Sequence, residues 1–261
     1  MLLCIDIGNT HIKLGLFAGD EMRQHWRIAT NRERQVDEYA ILLINLLDVA
    51  GLRVEEIAGC AISSVVPPLT PVFCELAERY LHLDALLVGP ETPVGMAIQT
   101  DYPAEVGPDL IVNALAARAK YGAPVIVIGF GTATTFVAVN AAGDFEGVAI
   151  APGIVSAGDS LFRSTSTLPQ VALARPARAV GKNTIASLRA GLVFGFAGLV
   201  KELVGRIRAE FGAESPVVVT GGLALLIAPE LGLAVHVEPD LALDGLRLVW
   251  QQNCAAGGQP T

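Results

Sequence analysis

Three apolar runs in this chain each end in a glycine and hydroxyl turn, and the first of them carries an acid. Leu2-Leu3-Cys4-Ile5 leads into Asp6-Ile7-Gly8-Asn9-Thr10, Val125-Ile126-Val127-Ile128 into Gly129-Phe130-Gly131-Thr132, and Val217-Val218-Val219 into Thr220-Gly221-Gly222. Turns of this kind present clustered backbone N–H groups free of side-chain bulk, an arrangement that cradles phosphate oxygens. Any one of them alone is more often ordinary punctuation between strands; the set of three, with hydroxyls throughout, shifts the reading toward a phosphate ligand. Asp6 ends what reads as a buried strand, where a carboxylate is costly unless something pairs with it. A Mg²⁺ ion carried by a nucleotide is one such partner, since that ion takes one or two carboxylates together with waters and phosphate oxygens. The other reading of Asp6 is an Asx turn closed by local backbone N–H groups. Lys13, on the returning strand, is placed to neutralise phosphate charge or simply to face solvent.

The elements that must hold these residues follow from pattern. Each of the first two turns sits between two short apolar runs, which gives strand, turn, strand. Laying Gly8 over Gly131 superposes Asp6 on Gly129 and Asn9 on Thr132, and the later Gly19-Asp20 and Gly143-Asp144 echo each other in the same way. The chain therefore reads as an internal duplication of α/β class, with lobes at 1–115 and 116–261. Helices are expected over Val36–Ala50 with Gly51 after it, over Pro71–Leu81 with Thr70 as N-cap, and over Pro108–Tyr121 before Gly122. A long helix follows Asn183-Thr184 and ends at Gly212. Gly191, Gly195 and Gly198 weaken it intrinsically, so close packing against another helix, within or between chains, is expected to compensate.

Composition narrows the class of function. With 18 basic and 26 acidic residues among 261, the net charge is −8 and no Lys/Arg block exists, so nucleic acid is not expected as a partner. No run approaches the roughly 18 uncharged apolar residues that a spanning helix needs, and no basic leader precedes the first strand, so neither membrane nor secretion is expected. Cys4, Cys60, Cys74 and Cys254 have neither zinc nor disulfide spacing and suit a reducing cytoplasm. The four histidines form no ligand set, Trp26 and Trp250 read as packing anchors, and residues 31–34 read as a solvated turn. The small, polar tail from Ala255 to Thr261 reads as frayed.

At this point the chain resembles the type III pantothenate kinases, members of the actin/Hsp70/sugar-kinase superfamily built from duplicated ribonuclease-H-like lobes. The resemblance rests on Asp6-Ile7-Gly8-Asn9-Thr10, Ser64-Val65-Val66-Pro67, Tyr102 through Gly107-x-Asp109, Gly131-Thr132-Ala133-Thr134-Thr135, Ile150-Ala151-Pro152-Gly153, Leu168-Pro169, Gly181-Lys182-Asn183-Thr184, Thr220-Gly221-Gly222 and Asp240-Leu241-x-Leu243-x-Gly245-Leu246, in family order. It implies a nucleotide cleft between the lobes and Mg-ATP-dependent phosphorylation of pantothenate to 4'-phosphopantothenate, the first step of coenzyme A biosynthesis. It further implies that Asp6, Gly8, Asn9, Thr10, Lys13, Gly131, Thr132, Gly221 and Gly222 bind the nucleotide and that Asp109 is the general base. Tyr102, Gly107, Pro108, Asp109, Leu110 and Thr184 would line the pantothenate site, and the protein would be a homodimer with that site near the subunit interface.

Two positions depart from the family pattern. The usual Gly-x-Asp-Arg reads Gly107-Pro108-Asp109-Leu110, and the usual Asp-x-Gly-Thr reads Gly129-Phe130-Gly131-Thr132. In the family the Arg faces pantothenate and the Asp helps to hold a monovalent cation, K⁺ or NH₄⁺. A lost charge-assisted hydrogen bond costs roughly 1.5–3 kcal/mol, or about 10- to 150-fold in affinity. Glu146 offers a carboxylate near the second turn, or else is a surface charge. Three readings stay open: a working pantothenate kinase, a nucleotide-binding relative with a regulatory or partner role, and a kinase for another small hydroxyl substrate.

Overall fold

The structure, a computed structural model, describes residues 1–255. It forms two compact units. The first comprises residues 1–97, 101–116 and the helix from Leu241; the second comprises 98–100 and 117–240.

The first unit is built on a five-stranded mixed sheet. Its strands are β1 (Leu2–Ile7), β2 (His11–Ala18), β3 (Glu21–Ala29), β4 (Gly59–Ser64) and β5 (Leu86–Leu87), in the order β3-β2-β1-β4-β5. β1 pairs antiparallel with β2 and parallel with β4. Strand alternation sends Leu3, Ile5 and Ile7 into a core with Tyr39, Leu43 and Leu47 of α1 (Val36–Val49) and Phe73 and Leu76 of α2 (Thr70–Leu76). The opposite face, which carries Asp6, is covered by α7 (Leu241–Ala255). A Cβ added at Gly15 would lie 2.9 Å from Leu243, and one at Gly59 would lie 2.4 Å from Trp250. The helix α3 (Pro108–Tyr121) crosses α7 so tightly that a Cβ at Gly245 would sit 2.1 Å from the Val112 carbonyl oxygen.

The second unit repeats that plan. Its strands β6 (Val125–Phe130), β7 (Ala133–Val139), β8 (Phe145–Pro152), β9 (Val217–Thr220) and β10 (His236–Val237) run in the order β10-β9-β6-β7-β8. β6 pairs antiparallel with β7 and parallel with β9. Ile126, Ile128 and Phe130 pack against Leu192, Val193, Ala197 and Val200 of α5 (Thr184–Phe211), with Ile154 of α4 (Ile154–Ser164) and Ile227 of α6 (Ala224–Ile227) beside them. Gly19 and Gly143, the paired turn glycines, both adopt positive φ, at 61° and 85°.

Several expectations change in detail. Asp6 lies within β1 and pairs across to Lys13, so it is a strand residue and no Asx turn; likewise Gly129 and Phe130 continue β6. Leu69, not Thr70, is the N-cap of α2, because the Thr70 hydroxyl donates to Ser64 Oγ at 2.8 Å instead of closing the helix start. The segment Leu241–Ala255 packs on the first sheet, although it follows the second in sequence. By length and composition α5 could cross a membrane, although Arg189 and Lys201 interrupt it. Its Gly191, Gly195 and Gly198 face open space, so the close packing expected at them is not made within this chain. Of the tail, residues 256–261 lie outside the described residues.

Candidate active site

In the first unit several of the expected site residues lie on the β1–β2 hairpin. Asp6 sits in a row that crosses four strands: Ser63 on β4, Asp6 on β1, Lys13 on β2 and Arg27 on β3. Directly paired residues point to the same face, so this row sets one carboxylate beside two cations and a hydroxyl. Burial raises the Asp6 carboxyl above its ordinary range, against the opposing pull of Lys13 and then of Ser63. Ser63 Oγ is buried, and its interaction with Asp6 falls short of full hydrogen-bond geometry. His11, two residues before Lys13, is held below its usual pKa by partial burial and then by the nearby Arg27 and Lys13.

The hairpin turn is closed by the Gly8 N–H, which donates to the His11 carbonyl at 3.0 Å. Asn9 and Thr10 follow, and Arg32 Nη2 donates to Asn9 Oδ1 at 2.8 Å. Residues 31–34, read from sequence as a solvated turn, are therefore tied to this hairpin, a link that only the tertiary structure reveals.

Asp109 lies in the first turn of α3, after Pro108, where a carboxylate meets the positive end of the helix. Burial, and then the Asp6 charge, push its pKa up to about 6, against a smaller lowering by the backbone N–H groups of Leu110 and Asp109. A Cβ at Gly107 would stand 2.6 Å from Asp109 Oδ1, so the carboxylate lies over this glycine and any side chain there would displace it. Leu110 is half-buried beside it, and the Tyr102 ring is 70 % exposed.

The second unit holds the other expected residues. The Gly131 N–H donates to the Ala133 carbonyl at 3.0 Å, and the Thr132 carbonyl accepts from Ser156 Oγ at 2.9 Å. Gly153, at the end of the Ile150-Ala151-Pro152-Gly153 motif, packs flat on that turn, since a Cβ there would lie 2.2 Å from the Thr132 oxygen. Gly221 has φ 95° and would place a Cβ 2.4 Å from the Phe130 oxygen, whereas Gly222 faces open space. Thr184 opens α5, whose start is capped by Asn183 Oδ1 accepting from the Ala186 N–H at 2.8 Å. It lines an open, mainly apolar hollow with Leu161, Leu168 and Leu188. Glu146 is exposed and accepts from Asn140 Nδ2 at 2.7 Å, as a surface charge would.

A model of the family described as type III pantothenate kinase matches residues 2–206. This chain belongs to the type III pantothenate kinase family. It is 52 % identical over 253 residues to the type III pantothenate kinase of Roseiflexus castenholzii, covering 97 % of this chain and 99 % of the relative. To that of Moorella thermoacetica it is 48 % identical, covering 97 % and 100 %. Solved structures resemble it at the level of fold. A putative 2-dehydro-3-deoxygalactonokinase from Sinorhizobium meliloti gives a TM-score of 0.60 at 15 % identity, over 97 % of this chain and 99 % of that one. The activator of 2-hydroxyisocaproyl-CoA dehydratase from Clostridium difficile, with bound ADPNP, gives 0.54 at 12 % identity over 100 % and 99 %. The likeness shows a shared α/β fold.

Gly129 is the position at which the sequence departs from the Asp-x-Gly-Thr pattern of the family resemblance. Its cross-strand partner is Thr135 and its parallel neighbour Thr220, and a Cβ there would stand 2.7 Å from Thr135 Oγ1. Thr220 Oγ1 is buried without a hydrogen-bond partner. The oxygens flanking this position are neutral.

Proposed function

We propose that this protein is a working pantothenate kinase, transferring the γ-phosphoryl group of ATP to the primary hydroxyl of pantothenate at the entry to coenzyme A biosynthesis. Family membership over nearly the full chain supports the activity. The observation that carries the chemistry is Asp109, a carboxylate on a helix start with its pKa near 6. It is ionised at neutral pH yet basic enough to receive the hydroxyl proton, which is what a general base requires. As the alcohol oxygen bonds to the γ-phosphorus, its proton passes to Asp109 and the bond to the β-phosphate oxygen breaks, releasing ADP. In such transfers most catalysis is positioning and charge stabilisation.

In this reading the Gly8-Asn9-Thr10 turn and Lys13 of the first unit hold phosphate oxygens; in the second unit, Gly131, Thr132, Gly221 and Gly222 are the residues that the family resemblance assigns to the nucleotide. Asp6, with its carboxyl raised by burial and its neighbour Ser63 Oγ lacking a full hydrogen bond, fits a magnesium ion brought by the nucleotide. That ion would neutralise phosphate charge. Tyr102, Gly107 and Leu110 of the first unit border pantothenate in this reading, and Thr184, in the second unit, is the further residue that the family resemblance assigns to it. The neutral oxygens around Gly129 do not fit a cation held by charge, so the reaction should not depend on K⁺ or NH₄⁺.

A homodimer is the reading that best accounts for α5. Only 28 % of its most apolar 18-residue stretch is buried within this chain, and Ile185 in its first turn is exposed. The free thiols of Cys4, Cys60 and Cys74 suit a reducing cytoplasm. The deciding experiment is a phosphoryl-transfer assay with Mg-ATP and pantothenate, run on the wild type and on Asp109→Asn. Product that vanishes in the variant supports the reading; no product from a wild type that still binds ATP would overturn it.

A further inference from the structure

The loop between β3 and α1 is stitched to the Gly8-Asn9-Thr10 turn by three bonds. The Thr30 N–H donates to the Thr10 carbonyl at 3.1 Å, Thr30 Oγ1 donates to the Gly8 carbonyl at 2.6 Å, and Arg32 Nη2 donates to Asn9 Oδ1 at 2.8 Å. The loop has its own anchor in the buried Tyr39, whose hydroxyl accepts from the Asn31 N–H at 3.1 Å and donates to the Asn31 carbonyl at 2.8 Å. An open cavity of about 510 Å³ borders these groups, lined by Asn9, Thr30, Arg32, Arg34 and their neighbours.

An asparagine can offer a ligand either its carbonyl oxygen or its NH₂ group, and nothing in the residue itself decides which. A guanidinium decides it, because it can only donate and so claims Oδ1. The NH₂ end of Asn9 is then the end left for a ligand, and only that end suits a phosphate oxygen, which accepts hydrogen bonds. The backbone bonds from Thr30 fix where the turn lies; the Arg32 bond fixes which way its side chain faces. Arg32 also adds a positive charge beside a cavity that Arg34 and Glu33 line as well.

We propose that Arg32 is a positioning residue for the nucleotide: it locks the Asn9 amide with its NH₂ group toward the phosphates. The proposal rests on the reading that Asn9 meets the nucleotide, so its test carries Asn9→Ala alongside. KM for ATP, KM for pantothenate and kcat are measured for the wild type, Arg32→Ala, Arg32→Lys, Asn9→Ala and the double variant. Loss of one hydrogen bond of this kind should raise KM for ATP about tenfold in Arg32→Ala, with kcat and KM for pantothenate within about twofold. Arg32→Lys, which keeps a donor, should recover part of the loss. The double variant should match Asn9→Ala, because Arg32 acts through Asn9. The proposal is overturned if Arg32→Ala leaves KM for ATP unchanged, or raises it equally in the Asn9→Ala background. If Asn9→Ala itself leaves KM for ATP unchanged, the fault lies in placing Asn9 at the nucleotide, and the proposal falls with that placement. Arg32 is exposed, and melting curves verify that each variant is folded.

Discussion

The same row of four strand positions occurs in both units with opposite chemistry. In the first it reads Ser63, Asp6, Lys13, Arg27; in the second it reads Thr220, Gly129, Thr135, Ile150, with Ile150 67 % exposed. The backbones correspond closely: β1 and β6 are both six residues long, and each pairs antiparallel on one side and parallel on the other. The hairpins differ by one residue, since four residues separate the paired Ile7 and Ile12 and three separate Phe130 and Thr134. The scaffold is therefore repeated, while the charges are present in one copy only. The charged copy can meet phosphates and a metal through side chains, whereas the neutral copy can offer only backbone donors, hydroxyls and space.

The sharpest way to test the charged side is Asp109→Asn. Turnover should fall by two or more orders of magnitude with ATP affinity nearly unchanged; an equal loss of ATP binding would remove Asp109 from the role of base. The same substitution should stabilise the fold. An unfolded Asp titrates near 3.8 and folded Asp109 at about 6. Between those values the folded state holds more protons, so stability falls as pH rises, and the full penalty stands above about pH 6. It is on the order of 3 kcal/mol, so urea midpoints of wild type and variant should diverge at pH 8 and converge below pH 4. The wild-type rate should likewise drop about tenfold per pH unit below 6, when this carboxylate is protonated.

Gly221→Ala breaks the neutral side by steric means. Positive φ and the contact with the Phe130 oxygen together should cost about 3 kcal/mol, while Gly222→Ala next to it should cost less than about 0.5 kcal/mol, both read as shifts in denaturant midpoint. Leu110→Arg should lower KM for pantothenate about tenfold by restoring a charged donor; no response would mean that the site is organised around leucine. The smallest effect expected is from Gly129→Asp combined with Thr135→Ala to relieve the crowding. It should turn an enzyme indifferent to exchange of K⁺ for Na⁺ into one activated severalfold by K⁺, and strong K⁺ activation of the wild type would show that neutral oxygens suffice.

Short apolar runs locate β1, β2, β6, β7 and β9 from the sequence alone, and the glycine after α5 marks its end, because those signals are local. The repeat between Asp6 and Gly129 is visible as spacing. What the sequence does not show is pairing. Ser63 and Arg27 join Asp6 and Lys13 only through strand register, and Arg32 joins Asn9 only when a loop more than twenty residues away folds back. The role of Gly107 is likewise hidden, since its missing side chain matters only once the Asp109 carboxylate is seen lying over it. The destination of residues 241–255 depends on which of two similar sheets lacks a cover, a global question that a local pattern does not pose.

That last helix also sets an order of events during synthesis. The face of the first sheet bearing Gly15, Gly59 and Asp6 cannot be covered until α7 has been made, long after β1 to β5 have left the ribosome. The second unit, made later, has its strands and core helices complete before α7 is translated. The usual expectation that the earlier-made domain matures first is therefore reversed here. The half of the molecule that carries Asp109 is the last to close.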